Sequence, residues 1–303
     1  MRHIKSVFIL LLCFYVLPDA SAQGCSDAGA CTIDALRPAA SSTVMKKISK
    51  VSSGVSIGSA DYGITVFGGN LGYSGRFTDK WSADVRLTFL AQAGNEISAF
   101  GPGDVFLNVN YQASQKLVLT VGTKIPLTKA DRVLEGVPLP MDYQSSLGTL
   151  DLIAGVKYTT AKWQWALAAQ LPLRQNENAF FPSLYDTTSI LSTIHATNAF
   201  HRQADILLHI SRPIWMSDKV TFTPGLLPIY HLSEDHYTDV DGIVKNIEGS
   251  DGLTLNGTVY IEIKLNTTNI LDFSLGFPFI VREARPDGLT RSFVFGVGYA
   301  AEF

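Results

Sequence analysis

The chain ends Arg291-Ser-Phe-Val-Phe-Gly-Val-Gly-Tyr-Ala-Ala-Glu-Phe303, and every odd position from Phe293 to Phe303 is apolar or aromatic. A two-residue period puts such positions on one face of a strand. Alternating strands of about ten residues are the unit of a membrane β-barrel. A last strand of this kind, finishing on a bare Phe, is read as the closing strand, and Phe303 as the expected handle for the barrel-assembly machinery.

The opposite end points to the same compartment. Met1-Arg2-His3-Ile4-Lys5 is basic, Val7 to Leu17 is apolar, and Ala20-Ser21-Ala22 is a small-x-small site before Gln23. This predicts a cleaved signal peptide over 1–22, too short to span a bilayer, and an outer-membrane address. Residues 23–49 read as a periplasmic N-terminal segment that hangs free or folds upward as a plug. It carries Cys25 and Cys31, and an oxidising periplasm favours a small disulfide between them.

Composition narrows the class. No run of eighteen apolar residues follows Gln23, so no transmembrane helix is expected. Charged residues make up only 17%, against 46% hydrophobic residues and 25 Gly, a shortage that a lipid-facing surface explains. The net charge of -3 and the lack of a Lys/Arg-rich stretch argue against nucleic acid as a partner.

Residues 50–303 read as an all-β, antiparallel, up-and-down transmembrane barrel of about twelve strands, within a range of ten to fourteen. Trp81-Ser-Ala-Asp-Val-Arg-Leu-Thr-Phe89 alternates without a break. Further strands are placed near 51–59, 62–77, 105–112, 117–125, 149–159, 162–172, 202–212, 218–230, 252–264, 269–280 and 291–303. The first two are Gly/Ser-rich. Even-numbered connections are short (78–80, 113–115, 160–161, 213–217, 266–268). Odd-numbered ones are long (90–102, 126–148, 173–201, 231–251, 281–290), apart from a tight first one at Ala60-Asp61. Segregation of loop length by parity is what short periplasmic turns and long extracellular loops produce. Trp81, Trp163, Trp165 and Trp215 all fall beside the short turns, as an interfacial aromatic belt requires.

The polar set of each strand is assigned to the lumen: Asp84, Arg86, Asp104, Asn108, Lys116, Lys124, Asp151, Lys157, Gln164, Gln170, Asp205, His209, Thr254, Asn256, Glu262, Lys264 and Asp272. Both signs occur in similar number, which favours ion pairs over a selective ring of one charge. A sealed interior and a solute pathway both fit. If Arg86, Lys124 and Lys157 were all paired and no opening continued, the pathway would lose its support. Gly101-Pro-Gly-Asp104 is not followed by a helix and is not read as a phosphate loop. No cofactor and no metal site are expected.

Three stretches carry a family resemblance. Gly103-Asp-Val-Phe-Leu-Asn-Val-Asn-Tyr111, Leu119-Thr-Val-Gly-Thr-Lys-Ile-Pro126 and Gln144-Ser-Ser-Leu-Gly-Thr-Leu-Asp-Leu-Ile-Ala-Gly-Val-Lys-Tyr158, with Leu139-Pro140 between, resemble the outer-membrane transporter-like family of the MetA pathway of phenol degradation. Leu127 and Ser145 stand where that pattern has Gly. The resemblance implies a channel or transporter for small, hydrophobic solutes. Val133, Leu134, Val137, Leu139, Met141, Phe180, Phe181, Leu184 and Tyr185 on the long loops either capture such a solute or pack the loops together. An enzymatic alternative is an outer-membrane lipid hydrolase using His231 and Ser233, which a strand would place on one face. His231, His236, Glu234 and Asp235 have the residue types, but not the spacing, of a cation site.

Overall fold

A computed structural model describes residues 36–38, 49–288 and 292–303. The proposed signal peptide and the Cys25/Cys31 pair lie outside the described residues. Twelve strands form the barrel wall: β1 (Ser49–Ser59), β2 (Thr65–Arg76), β3 (Trp81–Gly94), β4 (Ile97–Ser114), β5 (Leu117–Pro126), β6 (Leu150–Thr159), β7 (Gln164–Arg174), β8 (Asp205–Ser211), β9 (Val220–His231), β10 (Gly252–Lys264), β11 (Asn269–Ile280) and β12 (Phe293–Glu302). Each pairs antiparallel with its sequence neighbours, and β1 pairs with β12 from Lys50↔Glu302 to Ser59↔Phe293. Closure leaves no open edge.

The outward residues explain why the chain needs lipid. Val55, Leu71, Val85, Leu107, Val121, Leu167, Ile206, Leu226 and Phe295 are large, apolar and exposed around the whole wall. Each would cost roughly 1.5–3 kcal/mol to hold in water instead of an apolar phase. The wall is therefore that of a membrane-spanning barrel, with its polar side chains turned inward.

At one end the connections 77–80, 115–116, 160–163, 212–219 and 265–268 are short. Side-chain oxygens tie several of them down. Thr78 accepts from the Trp81 amide (3.0 Å), Thr160 from that of Trp163 (2.9 Å), and Asn266 from that of Asn269 (2.7 Å). Above these turns Trp81 lies against Tyr111 (centroids 4.8 Å apart) and Trp163 against Trp165 (6.3 Å), while Trp215 is exposed. The belt sits where amphipathic rings meet the bilayer boundary.

At the other end the expected loop at 90–102 is absent. β3 and β4 run on as a hairpin closed by Asn95 and Glu96, both at positive φ (52° and 62°). Two left-handed residues make the tight turn that matches strand twist. The alternation lapses over 88–104 because the register shifts between Leu87 and Phe89. Thr88 fills the irregularity, its hydroxyl accepting from the Asp104 amide (2.8 Å) and donating to the Asp104 carbonyl (3.1 Å). Gly101 to Asp104 thus lies inside β4, not at its start.

The remaining long connections, in their described residues 127–149, 175–204, 232–251 and 281–288, fold over the mouth as a cap with its own core. Every residue from Leu139 to Thr149 is buried. Leu139 and Tyr143 pack with Phe180, Leu191, Ile194 and Ile64, and Met141 with Leu147, Phe200, Ile247 and Ala284. Asn178 stitches two of the loops, donating to the carbonyls of Ala130 (2.8 Å) and Leu139 (3.0 Å) and accepting from Thr197 (2.7 Å). Tyr143 donates to the Gly94 carbonyl (2.9 Å), and burial raises its phenol above the ordinary value.

Candidate functional site: the barrel lumen

Strand register makes the two sides of the lumen unlike. Across β2, β1, β12 and β11 the inward positions are small. Ser52 faces Gly72, Gly54 lies between Asn70 and Gly298, and Ser56 lies between Gly68 and Gly296. Ser274 then faces Gly296, and Asp272 faces Gly298. The small residues leave space beside this wall. A chamber of about 170 Å³ runs along it, bounded by Ser52, Asn70, Asp272, Ser274 and Gly298 on the open side and by Arg86, Asp104, Phe106 and Lys124 across from it. Met141, Gln144, Ser146, Leu147, Asp287 and Gly288 roof it. Gly288, at φ 65°, lies so close to Met141 that a Cβ would come within 2.6 Å of the Met141 carbonyl carbon. A second cavity of about 810 Å³ opens at the short-turn end, bordered by Lys50, Arg76, Asp84, Lys157, Glu262 and Lys264. Arg37, Tyr260 and Asp272 border both: the Arg37 guanidinium lies 3.7 Å from Asp272 and 5.7 Å from the centre of the Tyr260 ring, so these three side chains stand between the two spaces.

The opposite wall is filled. Lys124 (2% exposed) meets Asp151 (0%) at 3.0 Å and donates to Thr149 (2.8 Å). Gln170 donates to the same carboxylate (2.5 Å). Asp84 accepts from Asn108 (2.6 Å) and Asn110 (3.0 Å), and Asp104 from Ser146 (2.5 Å). His209 is buried and hydrogen-bonded to Thr258 (3.0 Å). Lys157 donates to the backbone oxygen of Arg37 (2.5 Å), which ties the N-terminal stretch 36–38 to the inside of the barrel. Arg86 is buried and borders the upper chamber, and Thr254 and Asn256 are fully buried on β10. Gln164 is buried near the short-turn end, whereas Glu262 and Lys264 are only part-buried and border the lower cavity. Lys116 does not face the lumen proper: it occupies the turn after β4, exposed at the rim of that cavity.

Above Asp151 lies a buried ionic knot. Arg202 pairs with Asp205 and lies 3.7 Å from Asp287. Arg282 pairs with Asp287 (2.9 Å) and donates to the Ser250 carbonyl (2.5 Å). Burial works against the Arg202 charge, but Asp205, Asp287 and Asp235 outweigh it and hold the guanidinium above its ordinary value. His231 lies at the centre, Nδ1 on Asp205 (2.6 Å) and Nε2 on Asp235 (2.8 Å). Three carboxylates against two guanidinium groups leave one negative charge, which a protonated His231 cancels. Both ring nitrogens then act as donors.

This arrangement settles several sequence expectations. Neither nitrogen of His231 can serve as base to Ser233, whose side chain is exposed and makes no hydrogen bond to the ring. The hydrolase pair is not assembled. Glu234 turns away to accept from Asn246 (2.8 Å), and His236 lies tilted against His201 (5.9 Å between ring centres), so the four residues with cation-binding chemistry do not converge. Among the loop apolar residues, Leu139, Met141 and Phe180 pack the cap, Tyr185 packs against it and donates to the Pro138 carbonyl (2.9 Å), and Val133, Leu134 and Leu184 are exposed.

The sequence reading missed two groups that shape the lumen. One is the Gly/Ser wall, visible as weak strands but not as the side that leaves space. The other is an apolar patch on the filled wall: Phe106, Ile153, Ala166, Ala168, Leu207, Leu227 and Ile229, with Leu36 among them. Its signal was present, because Phe106 and Ile153 interrupt the polar register of β4 and β6.

No family model matches the chain and no curated protein matches it, so the resemblance over 103–158 is confined to those motifs. Among solved structures the chain is similar to the NanC porin (8% identity, TM-score 0.47, covering 84% of this chain and 98% of that one). It is also similar to the translocator domain of the autotransporter NalP from Neisseria meningitidis (8%, 0.44, 86% and 89%) and to the Ralstonia pickettii toluene transporter TbuX (11%, 0.41, 86% and 90%). At such identities and scores these likenesses add nothing to the architecture described above.

Proposed function

We propose that this chain is an outer-membrane channel or transporter that admits small, largely hydrophobic solutes along the Gly/Ser wall, without covalent chemistry. One observation carries the reading: the upper chamber runs along the wall of small residues, a larger cavity opens below it at the short-turn end with Arg37 between the two, and the buried ion pairs are gathered on the opposite wall. Phe106, Leu147, Val294 and Tyr260 stand among Asn70, Thr88 and Ser274 around the upper chamber, with the charged Arg86, Asp104, Lys124 and Asp272 beside them. A lining of that mixture suits an apolar body carrying a few polar groups. The roof formed by Leu139 to Thr149 then acts as the entrance that must give way.

The test compares bacteria whose outer membrane carries the full chain with bacteria that lack it, and adds swelling of liposomes containing the folded protein. The proposal expects faster uptake of a small amphiphilic arene and swelling limited to small solutes. Folded protein that supports neither is a sealed barrel, and the proposal fails.

A further inference from the structure

The geometry points to a ligand subsite on the filled wall, shaped for a branched aliphatic or aromatic group next to a carboxylate, and occupied in this structure by the chain's own Leu36. The proposal deepens the transport reading by naming the chemistry of the solute, and in that respect rests on it.

The floor of the subsite follows from register. Gly155 faces Ala168, Ala168 faces Leu207, and Leu207 faces Ile229, so one row across β6 to β9 is apolar and begins with its two smallest members. Inward positions of a water-filled barrel are ordinarily polar. An apolar row there demands a cover, and Leu36, 4% exposed, supplies it. The fit is close: a Cβ on Gly155 would stand 2.8 Å from Cδ1 of Leu36. Leu36 belongs to no strand of the barrel, so the cover leaves without breaking a ladder bond, giving up besides its own packing the contacts of Arg37 with Lys157, Asp272 (3.7 Å) and the Tyr260 ring (5.7 Å).

The row toward the short-turn end carries a polar side chain on either side of Ala166. Lys157 faces Ala166, and Ala166 faces His209. The Lys157 ammonium donates to the backbone oxygen of Arg37, the residue after the apolar side chain it accompanies. Leu36 and that oxygen together present a branched hydrocarbon beside an oxygen acceptor. Asn256, directly across from Leu227 of the apolar patch, is fully buried with neither amide atom hydrogen-bonded among the described residues. A small carboxylate with a branched or aromatic body reproduces the hydrocarbon and strengthens the bond to Lys157 by its charge. Leu36 is then an internal competitor. Its removal raises the share of empty subsites and tightens apparent binding by the same factor.

The experiment uses the full mature chain in detergent and 4-methylpentanoate as the probe, read by calorimetry and by saturation-transfer NMR. Leu36→Ala is expected to bind the probe about tenfold more tightly than the parent. Adding Gly155→Val to Leu36→Ala refills the notch and should abolish the gain, and Lys157→Met should weaken the carboxylate more than the corresponding amide. Leu36 lies outside the wall, so its variant keeps the barrel, and retained heat-modifiable migration on gels verifies this for all variants. Equal affinity of Leu36→Ala and parent, or a gain that survives Gly155→Val, overturns the subsite. Probe binding with this pattern but no solute flux would sink the transport reading and leave the subsite standing; flux without the pattern does the reverse.

Discussion

Asp151 shows what a single side chain does in this lumen. Its carboxylate is fully buried, receives Lys124 and Gln170 on one oxygen, and stands directly across from Lys124 in the β5–β6 ladder. Cutting it back to Ala strands the ammonium of Lys124 in a dry wall, a loss of about 3–5 kcal/mol for one half of a buried pair. Urea unfolding of Asp151→Ala in lipid vesicles should record that loss; a change below roughly 1 kcal/mol would mean that the wall is wet there. His231 makes a different prediction. It balances the charge of the knot only while protonated, so His231→Leu leaves Asp205 and Asp235 facing each other across an apolar side chain. The expected outcome is faster proteolysis of loops 175–204 and 232–251 with the barrel intact. Loops equally resistant in both proteins would refute the assignment.

Among the elements, the cap loops are held by a few polar anchors. Asn178→Leu breaks bonds to two carbonyls of loop 127–149, and each buried group left unpaired costs about 1–3 kcal/mol. The exposed turn around Glu135 should then be cleaved sooner and flux through the barrel should rise. Unchanged flux would show that this loop does not gate. The hairpin 236–246 has its own switch. Asp239 accepts from Lys245 (2.6 Å) and from the amides of Ile243 and Asp241, and these bonds hold its carboxyl below the ordinary value. A depressed value means that the contribution is present above the ordinary carboxylate pKa and is lost as pH falls through the lowered one. Protection of the amides in 236–246, measured relative to their intrinsic exchange rate at each pH, should therefore be lost only in acid, and Asp239→Asn should abolish that dependence. The elements also show where sequence reading stops. Lipid imposes a two-residue period on β3, β4, β5 and β12, and that period was legible. Over 88–104 the bulge at Thr88 suspends it, and strand was taken for loop.

For the molecule as a whole, the outer surface was more legible than the interior. Every outward position answers to one solvent, so Val55, Leu107 or Phe295 declares its side alone. An inward residue answers to partners fixed by register and by loops distant in sequence. His231 is understood only with Asp205, Asp235 and Arg282 in place, and Gly298 matters because Gly54 and Asp272 flank it. Charge balance was readable, but the side of the lumen that stays open was not. Neighbouring residues on β1 probe that asymmetry. Ser56 lies on the small-residue inner face of β1, while Val55, 66% exposed, points to lipid. Single-channel conductance should fall several-fold in Ser56→Trp and stay near the parent value in Val55→Trp. Equal conductance in the two variants would contradict a pathway along this wall.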